Sequence, residues 1–300
     1  MTTSKPHDQM NLATLIHNFS LFLSVQKQRS KHTVSNYVRD VEQFFSILSI
    51  DSPLLINQQH IHSYLNVHYK NNMNHRSIHR KMSALDQFWR YLIQENIVTN
   101  NPWESIRRPK ISQHLPNYLE EHAMLELLNN YPHSSPIEVR NKAILELLFS
   151  SGIRVNELIQ LRLHDIDLVG HECRVMGKGD KERIVLFGSR VQMSIQYYLD
   201  NARMQWGSID KTLFISATGH ALTARTIQRI VKNANRYHSS SVEITPHSCR
   251  HTCASILISN GAGIRDIQEL LGHSSITTTE RYSHLPTKKL TQHYLDIMNQ

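Results

Sequence analysis

Apolar side chains recur every three or four positions through the first hundred residues. Leu12, Leu15, Ile16, Phe19 and Leu23 fall on one helical face. A second helix starts near Ser30 and puts Val34, Tyr37, Val38, Val41, Phe44 and Phe45 on one side. A third, over residues 58–70, carries Ile61, Tyr64, Leu65 and His68 at the same spacing. The fourth is the longest, with Ile78, Met82, Leu85, Phe88, Trp89, Leu92 and Ile93 as its stripe and Arg76, Arg80, Lys81 and Arg90 assigned to the other face. Four such helices with short polar connections predict a compact bundle over residues 11–108, after a tail at 1–10.

The pattern then breaks at Asn101-Pro102, Arg107-Arg108-Pro109-Lys110 and Leu115-Pro116. Proline disfavours helix in the residue before it, so 109–117 reads as a linker. Beyond it, from 118 to 300, helices and strands alternate. Helices are predicted over 120–130, 139–151 (capped by Gly152), 155–160, 190–205, 224–238, 246–259, 264–271, 276–282 and 287–298. Residues 172–176 and 183–187 alternate in polarity around Gly177-Lys178-Gly179-Asp180, the signature of a β-hairpin. The fold class is mainly α with a small β-sheet.

Composition narrows the partners. The chain carries 33 Lys and Arg against 25 Asp and Glu, a net charge of +8. Residues 1–110 hold 13 of these cations and 7 of the acids, so the first third carries most of the excess. That favours an anionic partner, nucleic acid first. No apolar run reaches the length of a membrane span, and the N-terminus lacks a secretory pattern, so the cytoplasm is expected. Cys173, Cys249 and Cys253 make no disulfide framework.

Candidate chemistry lies near the C-terminus. Thr245-Pro246 starts a helix, and His247 and Arg250 then sit one turn apart in its opening turns, where an anion is favoured. Leu271-Gly272-His273 follows, and Tyr282 stands nine residues on. Ala254, Leu257 and Ile258 are expected to anchor the helix inward. His247, Cys249, His251 and Cys253 alternate like zinc ligands, but residues two apart on a helix point to different sides. His247 and His251 alone lack a glutamate at position 248 to complete a zinc-protease motif. No metal and no cofactor is therefore expected, and the two cysteines read as small packing residues.

These residues resemble the tyrosine recombinase (phage integrase) family, most closely its Xer-type bacterial members, over nearly the whole chain. Ser151–Leu158 is similar to the segment bearing that family's first catalytic arginine, which falls on Arg154. Gly177–Arg183 is similar to its β-hairpin, whose lysine falls on Lys178. His247 and Arg250 match its His-x-x-Arg pair, His273 its Leu-Gly-His residue and Tyr282 its nucleophile. Thr279–Ser283 departs from the commoner Xer pattern towards integrase-like relatives.

The resemblance implies an N-terminal SAM-like core-binding bundle of four or five helices and a mixed α+β catalytic domain. It implies a DNA strand-transferase working through a 3′-phosphotyrosyl link without metal or ATP, in resolution of chromosome or plasmid dimers. Integration of a phage, transposon or other mobile element stands as the alternative. A non-catalytic DNA-binding protein on this scaffold, or a type IB topoisomerase, would be a different class. Implied partners are double-stranded DNA with inverted-repeat half-sites, a tetrameric synapse with itself or a paralogous recombinase, and a DNA translocase of the FtsK type. Arg76, Arg80, Lys81, Arg107, Arg108, Lys110, Arg225 and Arg229 are the candidate DNA contacts. The apolar face of Leu290, Tyr294, Leu295 and Met298 is expected to dock on a neighbouring protomer.

Overall fold

The computed structural model describes residues 11–109, 118–177, 182–207, 209–271 and 294–298. Contacts divide the chain into two units, 1–113 and 114–300.

The first unit holds α1 (Leu12–Leu21), α2 (Lys31–Leu48), α3 (Gln58–Lys70) and α4 (His75–Gln94). A π turn at Phe22–Gln26 prolongs α1. Asn11, Ser30, Asn57 and Asn74 cap the four helices, each side chain accepting a backbone N–H that the helix leaves unpaired. The predicted stripes meet in one core, where Phe44 stands edge-on to Phe45, Tyr64 and Trp89. Each such aromatic pair adds roughly 0.5–1.5 kcal/mol beyond the area it buries. Trp103, from the chain after α4, closes the cluster against Phe44.

Lys81 does not share the exposed face of α4; its side chain is only 7 % accessible. Its ammonium donates to Asp40 Oδ1 at 3.0 Å and also to Gln43 Oε1. An ammonium on this side must be paired because desolvation would otherwise be prohibitive. Asp40, itself buried, takes Arg80 on its other oxygen.

The second unit holds α5 (Glu121–Asn130), α6 (Pro136–Ser151), α7 (Val155–Gln160), β1 (Ile166–Asp167), β2 (Glu172–Met176), β3 (Glu182–Leu186), α8 (Ser189–Asn201), α9 (Ala224–Ala234), α10 (Pro246–Ser259) and α11 (Ile264–Leu271). α6 begins three residues earlier than its apolar pattern suggests. Ser135 and Glu138 form a capping box around Pro136, and these caps set a start that lies before the apolar stripe. The helix is buried on nearly every side and packs against α8 and α10. That burial, which includes Arg140 and Glu146, marks the centre of this domain.

The hairpin strands pair antiparallel, with Cys173 opposite Val185 and Met176 opposite Glu182. A third strand, β1, joins the outer edge of β2. Two residues carry no detectable alternation, so sequence periodicity does not reveal it.

Inside α10, the buried apolar residues are Cys249, Cys253, Ile256 and Leu257, whereas Ile258 is 52 % exposed and does not anchor the helix. Both cysteines are packing residues, fully enclosed. Residues 294–298 are helical and seat on their own domain. Tyr294 is buried, with its hydroxyl 2.8 Å from Ser150 O and 3.0 Å from Leu186 O. Of the face expected to dock on a neighbour, Leu290 lies outside the described residues, while Tyr294, Leu295 and Met298 pack on their own domain. A buried phenol needs an acceptor, and these two carbonyls supply it.

Candidate active site

Helix α6 must stop sharply for α7 to begin. Gly152 does this in the left-handed conformation, at φ 59°. Any Cβ there would lie 2.7 Å from Leu271 Cδ2, so the position also requires glycine for space. Arg154 follows as the residue that opens α7.

Glu157, three residues on, accepts both the Arg154 backbone N–H at 2.9 Å and its Nη1 at 2.8 Å. The Arg154 side chain stays 40 % exposed. Burial raises the Glu157 carboxyl, but Arg183 and then Arg154 overcome that and hold it below the usual carboxylate range.

Thr245 and Ser248 form a capping box at the start of α10, with Pro246 in the first turn. His247 is exposed there, and Arg250 is buried one turn later. Arg250 Nη1 donates to Gly152 O at 2.6 Å and Nη2 to Leu271 O, which clamps the side chain between α6 and α11. Desolvation, then the charges of Arg154 and Arg183, lower the Arg250 pKa to about 10. Three guanidinium groups thus gather around one buried carboxylate, Glu157, which pairs directly with Arg154 and Arg183.

His247 Nε2 lies 3.2 Å from His251 Nε2. Burial, then His247 and Arg250, lower the His251 pKa.

Arg154, His247 and Arg250 line one cleft of about 830 Å³. Its wall also includes Glu157, Gly177, Gln228, Lys232 and Glu243. Lys178, His273 and Tyr282 lie outside the described residues, although Gly177, the residue before Lys178, reaches the cleft. Among the described residues no group of three or more His, Cys, Asp or Glu is placed to hold a metal.

The candidate DNA contacts separate. Arg225 and Arg229 are exposed one turn apart on α9, and Arg76 and Arg107 are exposed in the first unit. Arg80 is half-exposed and paired with Asp40. Arg108 donates to Ser83 Oγ at 3.2 Å and to Asp86 at 3.4 Å, still 41 % exposed. Lys81 is enclosed, and Lys110 lies outside the described residues.

Sequence reading missed Glu157, Arg183, Gln228 and Lys232. Glu157 had a signal in its position three residues after a helix-opening arginine. Gln228 and Lys232 follow Ala224 at four-residue steps, a face visible once the helix has been placed against the cleft.

The chain belongs to the phage integrase family, whose family pattern matches residues 117–289, with the family's N-terminal SAM-like domain matching 16–96. Among curated proteins it is 34% identical to the tyrosine recombinase XerC of Bacillus pumilus over 293 residues, 95% of this chain and 96% of that one. The XerC of Pelobacter propionicus is 37% identical over 284 residues, 93% of each. Among solved structures, a lambda integrase (75–356) dimer bound to a COC′ core site aligns with a TM-score of 0.70 at 22% identity, covering 91% of this chain and 98% of that one. XerH bound to palindromic difH in a post-cleavage complex aligns at 0.67 and 19% identity, covering 87% and 90%. Both likenesses bear on the fold. No helix among the described residues is long and apolar enough to cross a membrane.

Proposed function

We propose that this cleft carries out the strand transfer of a Xer-type site-specific tyrosine recombinase, with Arg154, Lys178, His247, Arg250, His273 and Tyr282 as its catalytic set. The observation that carries the reading is the convergence of Arg154, His247 and Arg250, from two helices separated by some ninety residues in sequence, on one cationic cleft.

The chemistry follows from charge. A phosphodiester under attack gathers negative charge on its non-bridging oxygens. Arg154 and Arg250 stabilise that charge, each such donor being worth about 100–1000-fold in rate. Two N–H groups of Arg250 go to carbonyls that hold it still, and its others serve the phosphate. Preorganisation of this kind costs nothing at the moment of reaction.

Tyr282 Oη attacks phosphorus, forming a P–O(Tyr) bond as the P–O5′ bond breaks. The tyrosyl proton passes to His247 as base. Lys178 delivers a proton to the departing 5′ oxygen, and His273 donates to the phosphate. The phosphotyrosine keeps the energy of the broken diester, so a 5′-hydroxyl from a partner strand reverses the step without ATP or metal.

The chain binds DNA and works as a multimer. We assign it a synapse of four protomers on two duplexes with inverted-repeat half-sites, in the cytoplasm. Resolution of chromosome or plasmid dimers is the outcome favoured by full-length similarity to XerC proteins. A DNA translocase of the FtsK type is the activating partner this role calls for.

A nicked suicide substrate tests the reaction. The protein should form a covalent DNA adduct that survives SDS. Tyr282→Phe should abolish the adduct and retain non-covalent binding; an adduct persisting in that variant overturns the assignment.

A further inference from the structure

Arg183 stands second in β3, five residues after Lys178. Its guanidinium reaches two other segments of the same domain. Nη1 donates to Leu270 O at 2.7 Å, in the last turn of α11. Nη2 donates to Glu157 Oε2 at 2.8 Å. That same carboxylate holds Arg154 by backbone and side chain. The neighbouring carbonyl, Leu271 O, is taken by Arg250, and His273 comes two residues later in the chain.

Both members of this pair are enclosed, Arg183 at 13 % and Glu157 at 4 % side-chain accessibility. Buried ion pairs contribute little net stability, because desolvation offsets their attraction. Arg183 Nε is also buried with no partner among the described residues. An apolar pair of similar volume would hold the domain together as well. What apolar groups cannot supply is a two-armed planar fork that sets two acceptors at defined distances.

We infer that Arg183 is a positioning residue. It couples the strand that follows Lys178 to the helix bearing Arg154 and to the helix end that leads into His273, so that the three are set in register together. This rests on the reaction proposed above and extends it to a residue that is 13 % accessible and is not part of the cleft wall.

The test uses the full chain and a nicked duplex. Single-turnover adduct formation at saturating protein is measured beside gel-shift affinity and thermal stability for Arg183→Met, Arg183→Lys, Glu157→Gln and the double variant Arg183→Met/Glu157→Gln. Misplacement of reacting groups by about 1 Å costs about 100-fold, so Arg183→Met should lose cleavage by about that factor while affinity changes less than about threefold.

Arg183→Lys, an ammonium without the fork, should fall between the two. The double variant should be no slower than the slower single variant, since both act through one network. A folded Arg183→Met that cleaves at the wild-type rate overturns the coupling. Single-variant losses that multiply in the double variant overturn it as well. If Arg183→Met does not hold its fold, Arg183→Lys decides: a wild-type rate there sinks the idea and a slowed rate with an unchanged melt supports it. Failure of Tyr282→Phe to remove the adduct would instead sink the reaction itself.

Discussion

Gly152→Ala should damage the second domain more than the same change at Gly261, by an amount the structure fixes. The residue sits at φ 59° and ψ 24°, where a Cβ costs about 1–2 kcal/mol. The new methyl would also lie 2.7 Å from Leu271 Cδ2, 3.4 Å from Arg250 Cγ and 3.5 Å from Cys253 Cβ. Leu271 and Cys253 are buried, so the clash cannot be relieved by swinging a side chain into solvent. Overpacking of this kind costs roughly 1–3 kcal/mol, which brings the total to about 2–5 kcal/mol.

Gly261 provides the control. Its φ is also positive, at 86°, but nothing lies within 4 Å of the point a Cβ would occupy there, so Gly261→Ala should incur the backbone cost alone. Calorimetry of the full chain compares the two. Each kcal/mol should lower the melting temperature of a domain this size by roughly 2–4 °C. Cleavage should fall in Gly152→Ala as well, because Gly152 O and Leu271 O are the acceptors that hold Arg250. Equal melting temperatures for the two variants would refute the reasoning, since the contact with Leu271 would then carry no weight.

Two further outcomes follow from charge. Arg229→Gln should reduce the slope of log affinity against log salt by about 1, as expected for one lost phosphate contact, whereas Lys81→Met, with the same change in net charge, should leave the slope unchanged. Lys81→Met should instead lower stability by roughly 1–3 kcal/mol, because buried Asp40 keeps only Arg80; a reduced slope in Lys81→Met would return that lysine to the DNA contacts. Burial, then the charge of Lys81, lower the His68 pKa, against the opposing pull of Asp40. The unfolded chain therefore binds more protons in the window below about 6.5, so this contribution is complete above that pH and is lost as pH falls through the folded value. Urea midpoints between pH 7.5 and 5 should drop less in His68→Gln than in the natural chain, and parallel drops would exclude His68 as the cause.

Much of this architecture is legible because periodicity and caps agree. α3, α7, β2, α10 and α11 have the bounds that their apolar spacing and capping residues predict. Lys81 shows where periodicity falls short. Position along a helix reports that a lysine lies near the polar side, but not that Asp40 and Gln43 on another helix have turned that side inward. The third strand escapes for a different reason: two residues hold no period. The tail shows a different limit: an apolar stripe says that a face is covered without naming the acceptors, and Tyr294 meets Ser150 O and Leu186 O.

The site divides along the same line. Arg154, His247 and Arg250 are legible as residue types at local spacings, yet the groups that hold them are tertiary. Gly152 O comes from 98 positions before Arg250, and Arg183 reaches Glu157 across 26. Local spacing carries the groups proposed to meet the phosphate, because helix geometry alone sets His247 beside Arg250. The supporting contacts depend on which carbonyl or carboxylate the fold brings near, and no spacing rule contains that. Leu270 O and Leu271 O are the sharpest case. They are backbone acceptors, present at any residue, and they matter here because Arg183 and Arg250 both end on them. Substitution of either leucine leaves the carbonyl in place, so the dependence is invisible to a scan of side chains and shows only when the arginines themselves are changed.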